Sequence, residues 1–403
     1  MNRKILLFLV LANVLMLVRA QESERQNAIY LNSADLLFSD KPGLSIGGYG
    51  EVHYNQPLVG NQFDLGTLDL HRMVVFLGYN FTSRTQFVSE IEFEYAKELW
   101  VEQMFLQHKL NKFVSLRAGL LLIPMGIINE YHEPVSFNGV ERPVIDNRIA
   151  PTTWREIGIG LAGNILPVKT KYQLYLVNGF NGFDAGAGLF SGSKALREGR
   201  QKGSKAYITS PAYSGKLEFY GIMNLNIGLS GYIGNSQSRL LAKVNKDSVA
   251  LVNRADSSIV GISMIGLDAR YSVNGIKLTG QLYYTSISNT EQYNVFTASN
   301  GKNNDLGSAM IGYYAEIGYN VLRPFTGVRQ ELMPFIRVEA YNTHHRVKGP
   351  VQKNKSYNNQ IITTGLTFKL TKGAVIKADI QFAKSETEEK FNKVFNAGFG
   401  IMF

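Results

Sequence analysis

Apolar and polar residues alternate over long stretches of the chain. Across residues 114–122 the even positions are apolar, while Ser115, Arg117 and Gly119 take the other face. The same period of two sets Ile276, Leu278, Leu282 and Tyr284 against Lys277, Thr279, Gln281 and Thr285. It returns in Ile311, Tyr313, Ala315, Ile317 and Tyr319 against Glu316 and Asn320, and in Ala374, Ile376, Ala378, Ile380 and Phe382 against Lys377, Asp379 and Gln381. Successive side chains of a strand point to opposite faces, so each segment has one apolar and one polar side. A soluble sandwich shares that pattern, but these segments run about 10 to 15 residues, the length of a tilted membrane strand rather than a soluble one. Beyond residue 20 no run of about 18 mostly apolar residues exists, so no helix is expected to cross a bilayer.

Counting such segments predicts strands near 44–54, 67–81, 84–96, 98–111, 113–122, 155–165, 169–178 and 214–223 in the first half. The second half adds 224–234, 258–273, 275–288, 308–321, 331–344, 357–370, 373–385 and 391–403. The total is even, as bacterial membrane barrels require. The links alternate in length: Phe81-Thr82-Ser83, Asn111-Lys112, Val273-Asn274-Gly275 and Thr371-Lys372 are short, whereas 123–154, 179–213, 235–257 and 289–307 are long. Short periplasmic turns and long outer loops distinguish membrane barrels. The expected fold is all-β: a transmembrane antiparallel β-barrel of about 16 strands.

Both termini fit export. Arg3 and Lys4 precede an apolar run at 5–18 that ends near Ala20, with Val18 two residues before it. That is a cleavable signal peptide over 1–20, since the run is shorter than the roughly 20 residues a spanning helix needs. Residues 21–43 read as a periplasmic lead-in with a turn or two of helix near 33–38, too short to be the plug of an energised transporter, and 44–403 as the barrel. At the other end Phe391, Phe395, Ala397, Phe399, Ile401 and Phe403 share one strand face. This resembles the C-terminal signal read by the barrel-assembly machinery, with Phe403 as its last residue. Localisation in the outer membrane of a Gram-negative bacterium follows.

Composition narrows the class further. The 39 Gly, 21 Tyr and 23 Phe suit sheets and turns. Zero Cys removes disulfides and thiolate chemistry. The net charge of +10 falls to 10 − 3 = +7 once Arg3, Lys4 and Arg19 leave with the signal peptide, which says little about partners.

Several segments carry a family resemblance: Arg117-Ala118-Gly119-Leu120 through Pro124-Met125-Gly126, Asn129-Glu130-Tyr131-His132-Glu133-Pro134, Ala150-Pro151-Thr152-Thr153-Trp154-Arg155-Glu156-Ile157-Gly158 and Val177-Asn178-Gly179-Phe180. Together they resemble the phosphate-selective porin O and P family. The resemblance implies a 16-stranded barrel, usually a homotrimer, with a long loop folded inward to narrow the pore. Loop 123–154 is the candidate, carrying Arg142, Asp146, Arg148 and Arg155.

An anion ladder needs a file of Arg and Lys along the path. Reading inward faces by parity gives Arg117, Lys171, Lys216, Arg270, Lys277, Arg337 and Lys377 against Glu90, Glu92, Glu94, Glu156, Glu218, Asp268, Glu316, Glu339 and Asp379. Basic positions do not prevail. The pore-lining candidates are therefore Glu90, Glu92, Glu94, Arg117, Arg142, Arg148 and Arg155, with the three Glu forming a column that faces the loop arginines. Ordinary wet-lumen charges, paired with neighbours, are the plain alternative. The excess Lys194, Arg197, Arg200, Lys202 and Lys205 reads as a solvated loop that could touch lipopolysaccharide phosphates. The expected function is passive diffusion of small polar solutes or ions, with anion or phosphate selectivity as the alternative and an outer-membrane enzyme or adhesin behind it. Of the six His, only His132 between Glu130 and Glu133 suggests metal or acid-base work. No catalytic residue, cofactor, metal or nucleic-acid partner is expected. Expected partners are lipid, lipopolysaccharide, the assembly machinery and further copies of the chain.

Overall fold

The computed structural model describes residues 42–60 and 64–403; the expected leader and the helical turn at 33–38 lie outside the described residues. Sixteen antiparallel strands close on themselves in sequence order. They are β1 Gly43–Leu58, β2 Thr67–Asn80, β3 Thr85–Glu94, β4 Glu98–Lys109, β5 Ser115–Leu122, β6 Arg155–Ile165, β7 Thr170–Val177 and β8 Ala212–Ile222. The ring continues with β9 Leu225–Asn235, β10 Gly261–Val273, β11 Ile276–Ile287, β12 Ala309–Tyr319, β13 Glu331–Arg346, β14 Asn358–Thr371, β15 Ala374–Ser385 and β16 Asn392–Met402. Pairing of β1 with β16, from Tyr49 opposite Met402 to Leu58 opposite Lys393, closes the barrel. Closure leaves no unpaired edge, the condition for putting a sheet in a bilayer. Among the described residues no helix is long and apolar enough to cross a membrane.

The two faces divide as the alternation predicts. Ile159, Leu174, Leu217, Ile265, Ile336 and Phe399 stand on the exterior, each about half exposed, while Glu90, Gln107, Lys216, Asp268, Gln281, Arg337 and Asn396 are buried on the inner face. Tyr79, Phe81, Tyr319 and Phe403 are exposed aromatic residues at the short-turn ends of their strands, where an aromatic girdle meets the bilayer interface. This is a barrel with a lipid-facing exterior and a polar interior.

Two bulges break the alternation on neighbouring strands. Glu90 faces Gln103 and Ile91 faces Val101, so Glu102 is an extra residue in β4. Glu51 faces Arg72 and Val52 faces Leu70, which makes His71 the extra residue in β2. A bulge re-aims side chains. Here it lets the adjacent Glu102 and Gln103 both be buried.

The long loops build a second layer at their end of the barrel. Short strands Asn181–Asp184, Ala187–Gly188 and Gln237–Ser238 make a three-stranded sheet. Trp154 stacks on Phe180 at 4.4 Å and leans on Tyr232 at 4.8 Å. Met125, Ile145, Leu196, Tyr293 and Leu306 join them in one apolar core with inward residues of the wall such as Val88, Phe105 and Tyr314. The loop layer and the inner wall thus share one apolar core.

Phe403 extends β16 by one residue: its N–H donates to Gly48 O at 2.9 Å and its carbonyl accepts from Gly48 N at 3.0 Å. The residue is 77% exposed, against 48% for Phe399 on the same face. If the ring is read during assembly, deleting Phe403 should lower the folded outer-membrane yield several-fold more than Phe399→Ala, as measured on heat-modifiability gels. Equal losses would reduce Phe403 to ordinary lipid contact.

Candidate lumen constriction

Loop 123–154 enters the lumen immediately after β5. Gly126 has φ of +69°, and a Cβ there would stand 1.7 Å from the Tyr283 hydroxyl oxygen, so only glycine fits this turn. A loop inside a barrel buries backbone polar groups, and each needs a partner. The wall supplies them by charge. Acceptors on the wall take the loop amides: Gln281 from Ile127 at 2.6 Å, Asp379 from Val140 at 2.7 Å and Glu339 from Val144 at 2.6 Å. Cations on the wall donate to the loop carbonyls: Lys216 to Gly126 at 2.6 Å, Arg72 to His132 at 2.6 Å, Lys369 to Val135 at 2.8 Å and Arg337 to Glu141 at 3.0 Å. The mixed signs of the inner face therefore have a structural task. They hold the loop across the lumen.

Side chains of the loop add further ties. Glu130 pairs with Lys216 at 2.8 Å and accepts from Gln173. Asp146 accepts from Tyr283 at 2.7 Å and Gln281 at 2.6 Å. Glu141 accepts from Asn55 at 2.9 Å and lies 3.2 Å from His53, whose ring stacks on His71 at 4.2 Å.

Open space remains on both sides of the loop. Toward the long-loop end a cavity of about 490 Å³ is lined by Glu92 and Glu94 from β3, Arg142 and Arg148 from the loop, Arg197 from the next loop, and Glu51, Arg72 and Glu141. Toward the short turns lie one cavity of about 270 Å³ with Arg117, Glu130, Lys171 and Gln173, and another of about 250 Å³ with Glu133, Arg270, Lys277, Glu316 and Lys369.

Four of the seven pore-lining residues expected from sequence thus meet in one cavity: Glu92, Glu94, Arg142 and Arg148. The other three lie elsewhere. Glu90 is buried under the loop, accepting from Gln103 at 2.7 Å and Tyr49 at 3.3 Å. Arg117 lines the short-turn cavity and donates to Gln107 at 2.7 Å and Tyr175 at 3.1 Å. Arg155 opens β6 rather than belonging to the loop, is buried, donates to Thr153 O at 3.2 Å and lies 5.8 Å over the Trp100 ring. The stretch 194–205 is likewise more than a solvated loop. Arg197 reaches the cavity, Lys202 sits 4.3 Å over Trp100, and Arg200 donates to Thr152 O. Burial, with the charges of Arg197 and Arg155 beside it, pushes the Arg200 guanidinium below its ordinary range.

The parity reading missed Glu102 and His71 because bulges carry them, though Val101 and Met104 both facing outward is a visible break in the alternation. It also left out Glu51 and His53, which alternate inward along β1.

No family model matches the chain. Solved structures of similar shape are an anion-selective porin from Comamonas acidovorans (12% identity, TM-score 0.56, covering 90% of this chain and all of that one) and the outer-membrane channel DcaP of Acinetobacter baumannii (10%, 0.55, 89% and 97%). Salmonella typhi OmpF, solved with daunomycin, is comparable (11%, 0.55, 90% and 98%). The shared property is the porin-type barrel. An uncharacterized protein of Aquifex aeolicus strain VF5 is 33% identical over 384 residues, spanning 92% of this chain and 82% of that protein. This chain belongs to the same family as that Aquifex aeolicus protein.

Proposed function

We propose that the chain forms a water-filled channel for passive diffusion of small polar solutes or ions across the outer membrane of a Gram-negative bacterium, narrowed by loop 123–154. The observation that carries this reading is the cavity of about 490 Å³ whose lining brings Glu92 and Glu94 of the wall together with Arg142, Arg148 and Arg197 of the loops. Fixed charges of both signs around one path set up a local field there. Such a field orients and admits polar solutes and slows apolar ones, with little preference for either ion sign. Glu130, Asp146, Glu339 and Asp379 tie the loop to the wall, and no enzymatic role is assigned to them.

Anion selectivity, as in the phosphate-selective porin O and P family, is the second reading. Arg197 joins Arg72, Arg142 and Arg148 in lining the cavity, and one similar structure is an anion-selective porin. Homotrimers, contact with lipopolysaccharide and delivery by the barrel-assembly machinery accompany either reading.

Reversal potentials in planar bilayers under a salt gradient separate the two. The channel should stand near zero selectivity, Glu92→Gln with Glu94→Gln should move it toward anions, and Arg142→Gln with Arg148→Gln toward cations. A wild type that already prefers phosphate to chloride by about tenfold would replace the field by an anion ladder.

A further inference from the structure

Beneath the loop, three titratable side chains from three elements converge. Glu90 comes from β3, Glu102 from the β4 bulge and His132 from the constriction loop, and all three are buried. His132 Nε2 lies 3.2 Å from Glu102 Oε2 and 3.7 Å from Glu90 Oε1, and the donor atoms all fall within 4.8 Å of one another. Ligands held about 2.0 to 2.2 Å from one ion stand roughly 3.3 to 3.6 Å apart when tetrahedral, which the two His132 distances bracket.

The surroundings point the same way. His132 Nδ1 lies 3.2 Å from Ile128 O, and a carbonyl can only accept, so the ring proton sits on Nδ1 and Nε2 is left to face the carboxylates. Metal-bound histidines are oriented in this manner. Gln103 and Tyr49 donate to the two oxygens of Glu90 and fix its plane. Glu102 Oε1 is buried with no hydrogen-bond partner, a carboxylate oxygen that lacks its counter-group. Of the strong cations nearby, Arg72 is covered by its contact with Glu51, and Arg155 is turned to Thr153 O and the Trp100 ring.

We propose that Glu90, Glu102 and His132 form a divalent-cation site that clips the constriction loop to the barrel wall. One imidazole and two carboxylates suit a first-row ion such as Zn²⁺ or Mn²⁺ better than Ca²⁺, which prefers all-oxygen shells. Glu102 Oε1 or a water completes the shell. This assignment departs from the sequence reading, which placed His132 beside Glu130 and Glu133; Glu130 is instead taken by Lys216. It stands whether or not the lumen conducts.

The test uses the tag-free mature protein folded in detergent, stripped with EDTA, loaded with Zn²⁺, dialysed and assayed for metal. The wild type should retain about one Zn²⁺ per chain, and Glu102→Gln and His132→Asn should each weaken binding about tenfold or more. Glu386→Gln, an exposed acid just past the far end of β15 that pairs with Lys355, should bind as the wild type does. Loading with Co²⁺ should give visible absorption bands that Glu102→Gln abolishes, which keeps the test decisive if His132→Asn does not fold. A wild type that retains no metal would mean that a protonated His132 bridges the carboxylates by itself, and the site would be withdrawn. Unchanged binding in Glu102→Gln would withdraw it too.

Discussion

Excising residues 127–150 and rejoining the ends through a short flexible linker should raise single-channel conductance about threefold or more, since a barrel of 16 strands has an aqueous bore when nothing fills it. The loop is anchored on opposite walls, from Ser230 in β9 through Glu339 in β13 and Asp379 in β15 to Arg72 in β2. It therefore occupies the cross-section rather than hanging at one side. The ladder of strand pairs does not depend on it, so the barrel should still close. Wall groups that now bind the loop would meet water instead, which leaves them solvated and not stranded. Apolar wall residues such as Val88, Phe105 and Tyr314 would lose their cover, so the shortened protein should unfold at a lower temperature. Conductance unchanged within error would mean that the path of solutes bypasses the loop, and the constriction would have to be sought among the outer loops.

The barrel itself was legible because its signal is repeated in every strand: the period of two, the alternation of short and long links and the aromatic C-terminal strand each reflect one physical constraint, the need to pair every backbone group in lipid. Boundaries moved by up to four residues where the loop layer takes over, as at Leu58, where β1 runs four residues past its expected end, and at 258–260, where Ser258 and Val260 are buried in the cap and β10 begins only at Gly261. The lumen was less legible. Parity says which way a side chain points, but Lys216 and Arg337 are spent on loop carbonyls, and nothing local to β8 or β13 announces that. A bulge shifts parity by one residue, which is why Glu102 escaped notice, while Glu90 points inward as parity says but is covered by the loop residue His132, which no pattern on β3 announces. Arg142 and Arg148 were placed by family resemblance, because a loop's path has no periodicity to read.

Replacing Arg337 with Met should destabilise the folded barrel by about 3 to 5 kcal/mol, the usual cost of leaving the partners of a buried cation uncompensated. Arg337 has no exposed surface. Its Nε donates to Glu339 at 2.9 Å, one Nη to Glu316 at 3.3 Å and to Asn138 O at 3.3 Å, and the other to Glu141 O at 3.0 Å. Met fills similar volume but offers no donor, so two carboxylates and two loop carbonyls lose their partner at once. Glu339 also accepts from Val144 N, so its displacement would loosen the loop at a second point. The adjacent cavity of about 250 Å³, which Arg337 and Glu316 both line, lets water reach Glu316 and relieves part of the cost. Arg337→Lys should recover less than half of the loss, because an ammonium cannot span both carboxylates and both carbonyls as the planar fork does. Adding Glu339→Gln to Arg337→Met should recover some stability by removing one of the stranded charges, and the cycle of single and double variants isolates that coupling. Urea unfolding in detergent micelles, followed by gel mobility, gives the comparison. Should Arg337→Met unfold within about 1 kcal/mol of the wild type, the loop would be held by packing of Ile145, Ile149 and Trp154 rather than by charge, and the field across the cavity would lose its rigid support.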